Sequence, residues 1–424
     1  MDTFLLRLPN PVLVCAMVLL GLIPLVARAD DPNLDGTVRL HRIGRTVGDT
    51  GPLAQANALQ LGTAGVDGSV AGVQVELRTS ANVGAVQVHA SATLQTQQTQ
   101  GSASETQSRF NEAYAAGQAM GWQWSAGKKV VSWDVGYAFR PNDMVQQEVR
   151  RTLASEALQG RALLMAEHFD ADTAWSVVWV NPTQERAGTG AQEAAVAARL
   201  YQHHGALDWH AFARHGEHTA ASLGAAASWV ASDALELHAS VRAYRHMDTL
   251  ASGVTGAAPS PADPWHSTLS GAGQQVLVGG TWTSESQVSL LVEAWHDDTA
   301  LTDRQWRDWT ARNQALTTWL PKGVAAAAVA GNLAWQGKAF GVSNSLRQDN
   351  LFVRLSWQND RWLTALDVLY TPADQGTVTT ASIVWSGERF KLEAGLRAHG
   401  GPGDAVLRQL PVQRQGYAVV TWAF

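Results

Sequence analysis

Cysteine is nearly absent: the chain of 424 residues has one, Cys15, and none from Asp30 onward. Disulfides therefore cannot staple the fold, and stability must come from a large core or a closed hydrogen-bonded sheet. Charge is scarce as well. Asp, Glu, Lys and Arg make up 16% of residues, against roughly a quarter in soluble domains, yet mean hydropathy is only −0.12. After residue 29 no apolar run approaches the ~20 residues that a membrane-spanning helix needs. The chain thus reads neither as a polar secreted enzyme nor as a helical membrane protein. A net charge of −6 argues against a nucleic-acid partner. No GxSxG elbow and no HExxH helix occurs. The pairs Gly127-Lys128 and Gly337-Lys338 follow Gly121 and Gly331 at the wrong spacing for a phosphate loop, and neither lysine precedes Ser or Thr.

What the chain does have is tryptophan, 18 of them, and aromatic residues collect where a membrane protein meets the headgroups. It also has a leader pattern. Residues Met1 to Ala29 carry Arg7, an apolar run from Val12 to Val26, and Ala27-Arg28-Ala29. That is the layout of a secretory signal peptide, with cleavage expected before Asp30. Val14 stands before Cys15 where a lipoprotein signal needs a small residue. The expected organisation is a signal peptide over residues 1–29 and one domain over residues 30–424.

Strict alternation follows. Val73, Val75 and Leu77 oppose Gln74, Glu76 and Arg78; Leu235, Leu237, Ala239 and Val241 oppose Glu236, His238, Ser240 and Arg242; Phe390, Leu392, Ala394 and Leu396 oppose Lys391, Glu393, Gly395 and Arg397. Successive side chains of a strand point to opposite faces, so each segment is apolar on one side and polar on the other. Connectors fall into two classes. Short turns such as Asp170–Asp172 and Ser284–Ser286 alternate with long stretches such as Val47–Asp67, Thr96–Glu105, Asn142–Ser155, Ala251–Gly271, Thr299–Pro321 and His399–Leu410. The expected fold is therefore all-β: a transmembrane antiparallel β-barrel of about 18 strands, with roughly 16 to 20 left open because Val324–Leu346 reads either as an extra hairpin or as an inward-folded loop. Only Asp30 to Asp35 precede the expected first strand, which leaves no room for a plug. "TDRQWRDWTARNQALTTWL" has near-helical spacing of Trp306, Trp309 and Ala315 within a loop.

The polar faces give the candidate lining of a pore: Glu76, Arg78, Asp208, His210, Arg214, Glu236, His238, Arg242, Glu293, Arg354, Asp367, Lys391, Glu393 and Arg397. Both signs are represented and neither dominates, so weak ion preference is expected. Loops around Arg140 and Asp143, or around Trp306 and Trp309, are candidates to narrow it. "GYAVVTWAF" closes the chain with Trp422 and Phe424 on one face, and an alternating last strand must pair with the first to remove both sheet edges. This ending resembles the C-terminal signature of outer-membrane β-barrels, which implies recognition by the barrel assembly machinery. The stretch from Phe110 to Asp143 resembles a region of bacterial porin-like families, the alginate-export type among them, at Tyr114, Gly127, Lys128, Trp133, Pro141 and Asp143; "RQDNLFVRLSW" (Arg347 to Trp357) is similar in style to their closing strands. The resemblance implies a passive outer-membrane channel for small hydrophilic solutes, surrounded by outer-membrane lipid. It names no solute, and the oligomeric state is open.

Other readings compete. His203, His204, His210, His215 and His218 form a cluster in sequence, but on the strand reading they spread across the membrane thickness, so no shared metal and no cofactor is expected. The pairs His89/Ser91 and His238/Ser240 could serve a lipid hydrolase, with His activating Ser, though no orienting acid is placed beside them. Long polar outer loops would equally suit an adhesive or structural barrel.

Overall fold

The protein, examined as a computed structural model, is described over residues 30–66, 68–146, 153, 158–180, 193–254 and 256–424. The expected signal peptide lies outside the described residues. Twenty strands follow in chain order: β1 (Asp30–Val47), β2 (Val70–Val83), β3 (Val86–Thr99), β4 (Ser104–Ala119), β5 (Trp122–Lys129), β6 (Arg161–Phe169), β7 (Thr173–Val180), β8 (Ala195–His204), β9 (Leu207–Gly216), β10 (Ala220–Ser232), β11 (Leu235–Tyr244), β12 (Asp248–Ser252), β13 (Trp265–Leu269), β14 (Gly273–Thr283), β15 (Val288–Asp297), β16 (Asp349–Asn359), β17 (Trp362–Thr371), β18 (Gly376–Ser386), β19 (Phe390–Gly400) and β20 (Val412–Ala423). All but β12 and β13 join one 18-stranded antiparallel sheet, and β1 pairs with both β2 and β20. The sheet is closed and has no edge. β12 and β13 form a separate hairpin within an outer loop.

Alternation decides the two faces. Leu40, Trp175, Val196, Leu223, Val278, Trp357, Leu366 and Leu396 point outward and are exposed, as lipid-facing residues must be. The turn-side rim gathers Trp229, Trp282, Trp357, Trp362, Phe390, Trp422 and Phe424 into an aromatic girdle. At the seam, Gly36 and Phe424 exchange backbone hydrogen bonds of 3.0 Å in both directions. The Phe424 ring then lies over Gly36: a Cβ there would come within 2.6 Å of Phe424 Cζ and 2.9 Å of Leu77. The exposed aromatic at the chain end thus occupies a seat made by the first strand's glycine.

Three details depart from the sequence reading. β1 begins at Asp30 rather than after Asp35. The connector expected over Thr96–Glu105 is mostly strand, with only residues 100–103 between β3 and β4. Its reason is height: where the hairpin rises past the lipid, outward positions such as Thr96, Gln98, Ser104 and Thr106 need not be apolar, so tall strands read as loop. Finally, Val324–Leu346 is not a hairpin but helix and 3-10 turns. The outer connectors carry three helices, α1 (Gly51–Leu59), α2 (Asp303–Thr317) and α3 (Ala326–Gln336). Leu53 and Ala56 of α1 pack with Leu316, Val329, Ala330 and Leu333 into a cap core on the outer side. α2 starts at a reciprocal cap in which Thr302 Oγ1 accepts from Gln305 N and Gln305 Oε1 accepts from Thr302 N.

Candidate functional site

Strand register places all the inward candidates on the lumen side of the sheet: Arg354 stands opposite Asp367, Thr380 opposite Arg397, Glu293 opposite Phe352, and Arg242 opposite Gln275. What fills that lumen is the connector after β5. Residues 130–146 fold inward and pack on two stretches of wall. Val131, Trp133, Met144 and Val145 lie against Met165, Val178 and Phe212. Ala138 and Phe139 lie against Leu277, Trp295 and Phe352, with the Phe139 and Trp295 rings stacked at 5.4 Å.

Polar bonds fix the loop to these walls. Glu293, 0% exposed, accepts from Tyr137 N at 2.6 Å, Ala138 N at 2.7 Å and the His238 ring at 2.9 Å. Asn142 donates to Ser240 Oγ at 2.8 Å and to the Ala225 and Val241 carbonyls at 3.2 and 3.1 Å. Ser240 Oγ in turn donates to Asp134 at 2.7 Å, and Arg242 donates to the Pro141 carbonyl at 3.2 Å. Gly224 is required here because a Cβ would sit 1.8 Å from Asn142 Oδ1. Within the loop, Asp143 binds Arg140 at 2.8 Å and accepts from the Trp133 and Asp134 amides. Arg140 and Asp143, candidates for the loop that narrows the pore, are buried against each other and hold the loop's own shape.

The other candidates divide by exposure. Arg214 is buried with Glu193 and Thr219, His238 bridges Glu236 and Glu293, and Glu76 is buried under Arg78. Asp208 accepts from Tyr201 at 2.7 Å and bonds the His203 ring, and His210 stacks on Phe212. Arg354, Asp367, Lys391, Glu393 and Arg397 line open space: with Tyr137, His399 and Tyr417 they border a cavity of about 480 Å³ between the loop and β16–β20. Trp306 and Trp309 lie apart from it, in the cap, their rings packed edge to face on each other at 5.2 Å in a cluster with Ala339, Phe340 and Val406. Neither His-x-Ser pair forms a nucleophile. Ser240 is bonded to Asp134 and Asn142, while His89 stacks on Tyr114 at 4.7 Å and Ser91 bonds Glu76 and Asn111. Among the described residues no cluster of metal-ligating side chains occurs.

Asp134, Asn142 and Gly224, and the packing of Arg199 over the Trp133 ring at 5.6 Å, were not marked by sequence reasoning. A polar Pro-Asn-Asp run in an otherwise apolar loop was the available signal.

A closed 18-stranded antiparallel barrel is the fold of outer-membrane porins. The solved structures it is similar to include OccAB1 of Acinetobacter baumannii (10% identity, 94% of this chain and 97% of that one, TM-score 0.57), OccK5 (OpdH) of Pseudomonas aeruginosa (9%, 94% and 99%, 0.55) and OccD3 (OpdP) of the same organism (10%, 93% and 92%, 0.54). At such identities the likeness is one of fold. No protein-family model matches the chain, and no curated protein matches it in sequence.

Proposed function

We propose that the protein is an outer-membrane channel for passive diffusion of small hydrophilic solutes, its bore set by residues 130–146. The observation that carries this reading is Glu293: a buried wall carboxylate receives two consecutive loop amides, which fixes a constriction while leaving a polar cavity beside it. A loop that merely filled a structural barrel would not need to leave a cavity lined by Arg354, Asp367, Lys391 and Arg397. Weak ion preference follows from the pairing of opposite charges along this lining, Arg354 with Asp367 at 2.8 Å and Lys391 with Glu393 at 3.3 Å, so that no ring of one sign forms.

The test is single-channel conductance in a planar bilayer for the wild type and for a chain lacking Thr302–Leu320. Steady ohmic steps in the wild type support the channel. A second reading, a closed structural or adhesive barrel, is favoured by the three-helix cap; it predicts silence in both proteins, whereas a wild type that opens only on the deletion is a gated pore.

A further inference from the structure

Lipid-facing strand positions exclude charge, and this barrel obeys the rule with a localised exception. Among the described residues, the charged side chains on outward barrel positions are Arg42, Lys128, Asp349 and Arg414. Asp349 bonds the His296 ring at 2.7 Å, and Lys128 donates to the Phe110 carbonyl at 2.5 Å. Arg42 and Arg414 have no such partner, and they stand on neighbouring strands across the seam, opposite Ala418 and Thr46. Their positions are four residues apart along β20, about 13 Å at the rise of a strand.

Between them the surface is hollow. Gly44 pairs with Gly416, so neither strand raises a side chain there, and the hollow continues over Ala381 and Ala394 to a total of about 650 Å³. Leu396, 69% exposed, stands beside Gly416 and lines the hollow. A guanidinium is costly in the hydrocarbon at mid-depth and much less so near the interface. Arg42 lies below Arg414 on the side of the outer connectors, and over Gly44 its side chain has a free course toward the headgroups.

We propose that this hollow is a binding site for one phosphate-bearing lipid of the outer leaflet, with the head group held by Arg414 and by Arg42 reaching up over Gly44, and an acyl chain laid down over Gly416, Ala418 and Ala394. Arginine suits the role because its planar fork meets a phosphate in two parallel hydrogen bonds. A head group with two phosphates can meet both arginines. The site rests on the outer-membrane placement, which cell fractionation tests separately.

Native mass spectrometry of the detergent-purified barrel reads the outcome. The probes are a diphosphorylated glycolipid, phosphatidylglycerol, and phosphatidylcholine with chains matched to phosphatidylglycerol. The wild type should retain the diphosphorylated lipid about tenfold better than phosphatidylcholine, and inorganic phosphate at equal phosphate concentration should not displace it. The double variant Arg42→Gln/Arg414→Gln should fall to the phosphatidylcholine level, and Gly416→Leu should weaken retention of every lipid by filling the hollow. Equal retention of charged and uncharged lipids, full displacement by inorganic phosphate, an unchanged double variant, or a lipid-free dimer or trimer seated on this face would each overturn the site. Should a variant fail to fold, seen as loss of its faster unheated migration, the headgroup comparison on the wild type decides.

Discussion

Glu293 reads in the sequence as one more inward acid of an alternating strand, and its surroundings give it another task. Replacing it with Gln keeps the shape but turns one acceptor into a donor facing a loop amide. The unmet backbone group should cost on the order of 1–3 kcal/mol. The expected result for Glu293→Gln is a noisier channel with a changed mean conductance, in a barrel that still inserts; a current trace identical to wild type would remove Glu293 as the loop's anchor. Gly224→Ala should act on the same loop from the other wall, because its methyl would take the place of the Asn142 amide. At the seam the exposed pair matters in a different way. A charge at Phe424 costs only about 0–1 kcal/mol in the interface, so a large insertion defect on deleting Phe424, or on Gly36→Leu, would trace to lost closure or lost recognition. Insertion of both variants at wild-type yield, counted as heat-modifiable protein in membranes, would show that the ring's seat is dispensable.

Among the elements, the strands were legible because the lipid dictates one face of each: Leu235 to Val241 and Phe390 to Leu396 could be assigned in and out without a structure. Legibility failed where that constraint lapses. The outer ends of β3 and β4 rise past the lipid and are polar on both faces around Thr96 and Thr106, so this stretch reads as a loop. The inward connector was visible as a region of interest from Arg140 and Asp143, but its partners were not. Asn142 meets Ser240 across 98 residues of sequence and Tyr137 meets Glu293 across 156, and nothing in an alternating polar face distinguishes a serine that binds a loop from one that lines a pore. The helix near Trp306 was legible from its spacing, and its start offers a clean test. Thr302→Ala removes the acceptor for Gln305 N and should weaken α2 by about 1 kcal/mol, read as faster amide exchange at residues 304–306 with β-strand amides unaffected. Unchanged exchange there would mean that packing in the cap, not the N-terminal bonds, sets the helix's stability.

For the whole molecule, the closed sheet predicts outer-membrane fractionation and a faster mobility on detergent gels before boiling than after, since a ring without edges resists the detergent until heated; a soluble periplasmic pool would contradict the reading. The ring is drawn shut in three places at once. The β1–β20 ladder runs from Thr37 and Ala423 to Val47 and Val412, Phe424 rests on Gly36 at its lower end, and above it Thr50 Oγ1 donates to the Arg408 carbonyl at 3.0 Å while Gln413 donates to Thr50 at 3.1 Å. Every one of these contacts joins the first fifth of the sequence to its last few residues. A chain stopped short of β20 would lose the ladder and the seat of Phe424 together, keeping at most the bond from Thr50 to the Arg408 carbonyl. Closure thus acts as a test of length: a full-length chain becomes a ring, and a truncated one keeps two raw strands that any passing protease or second chain can take hold of.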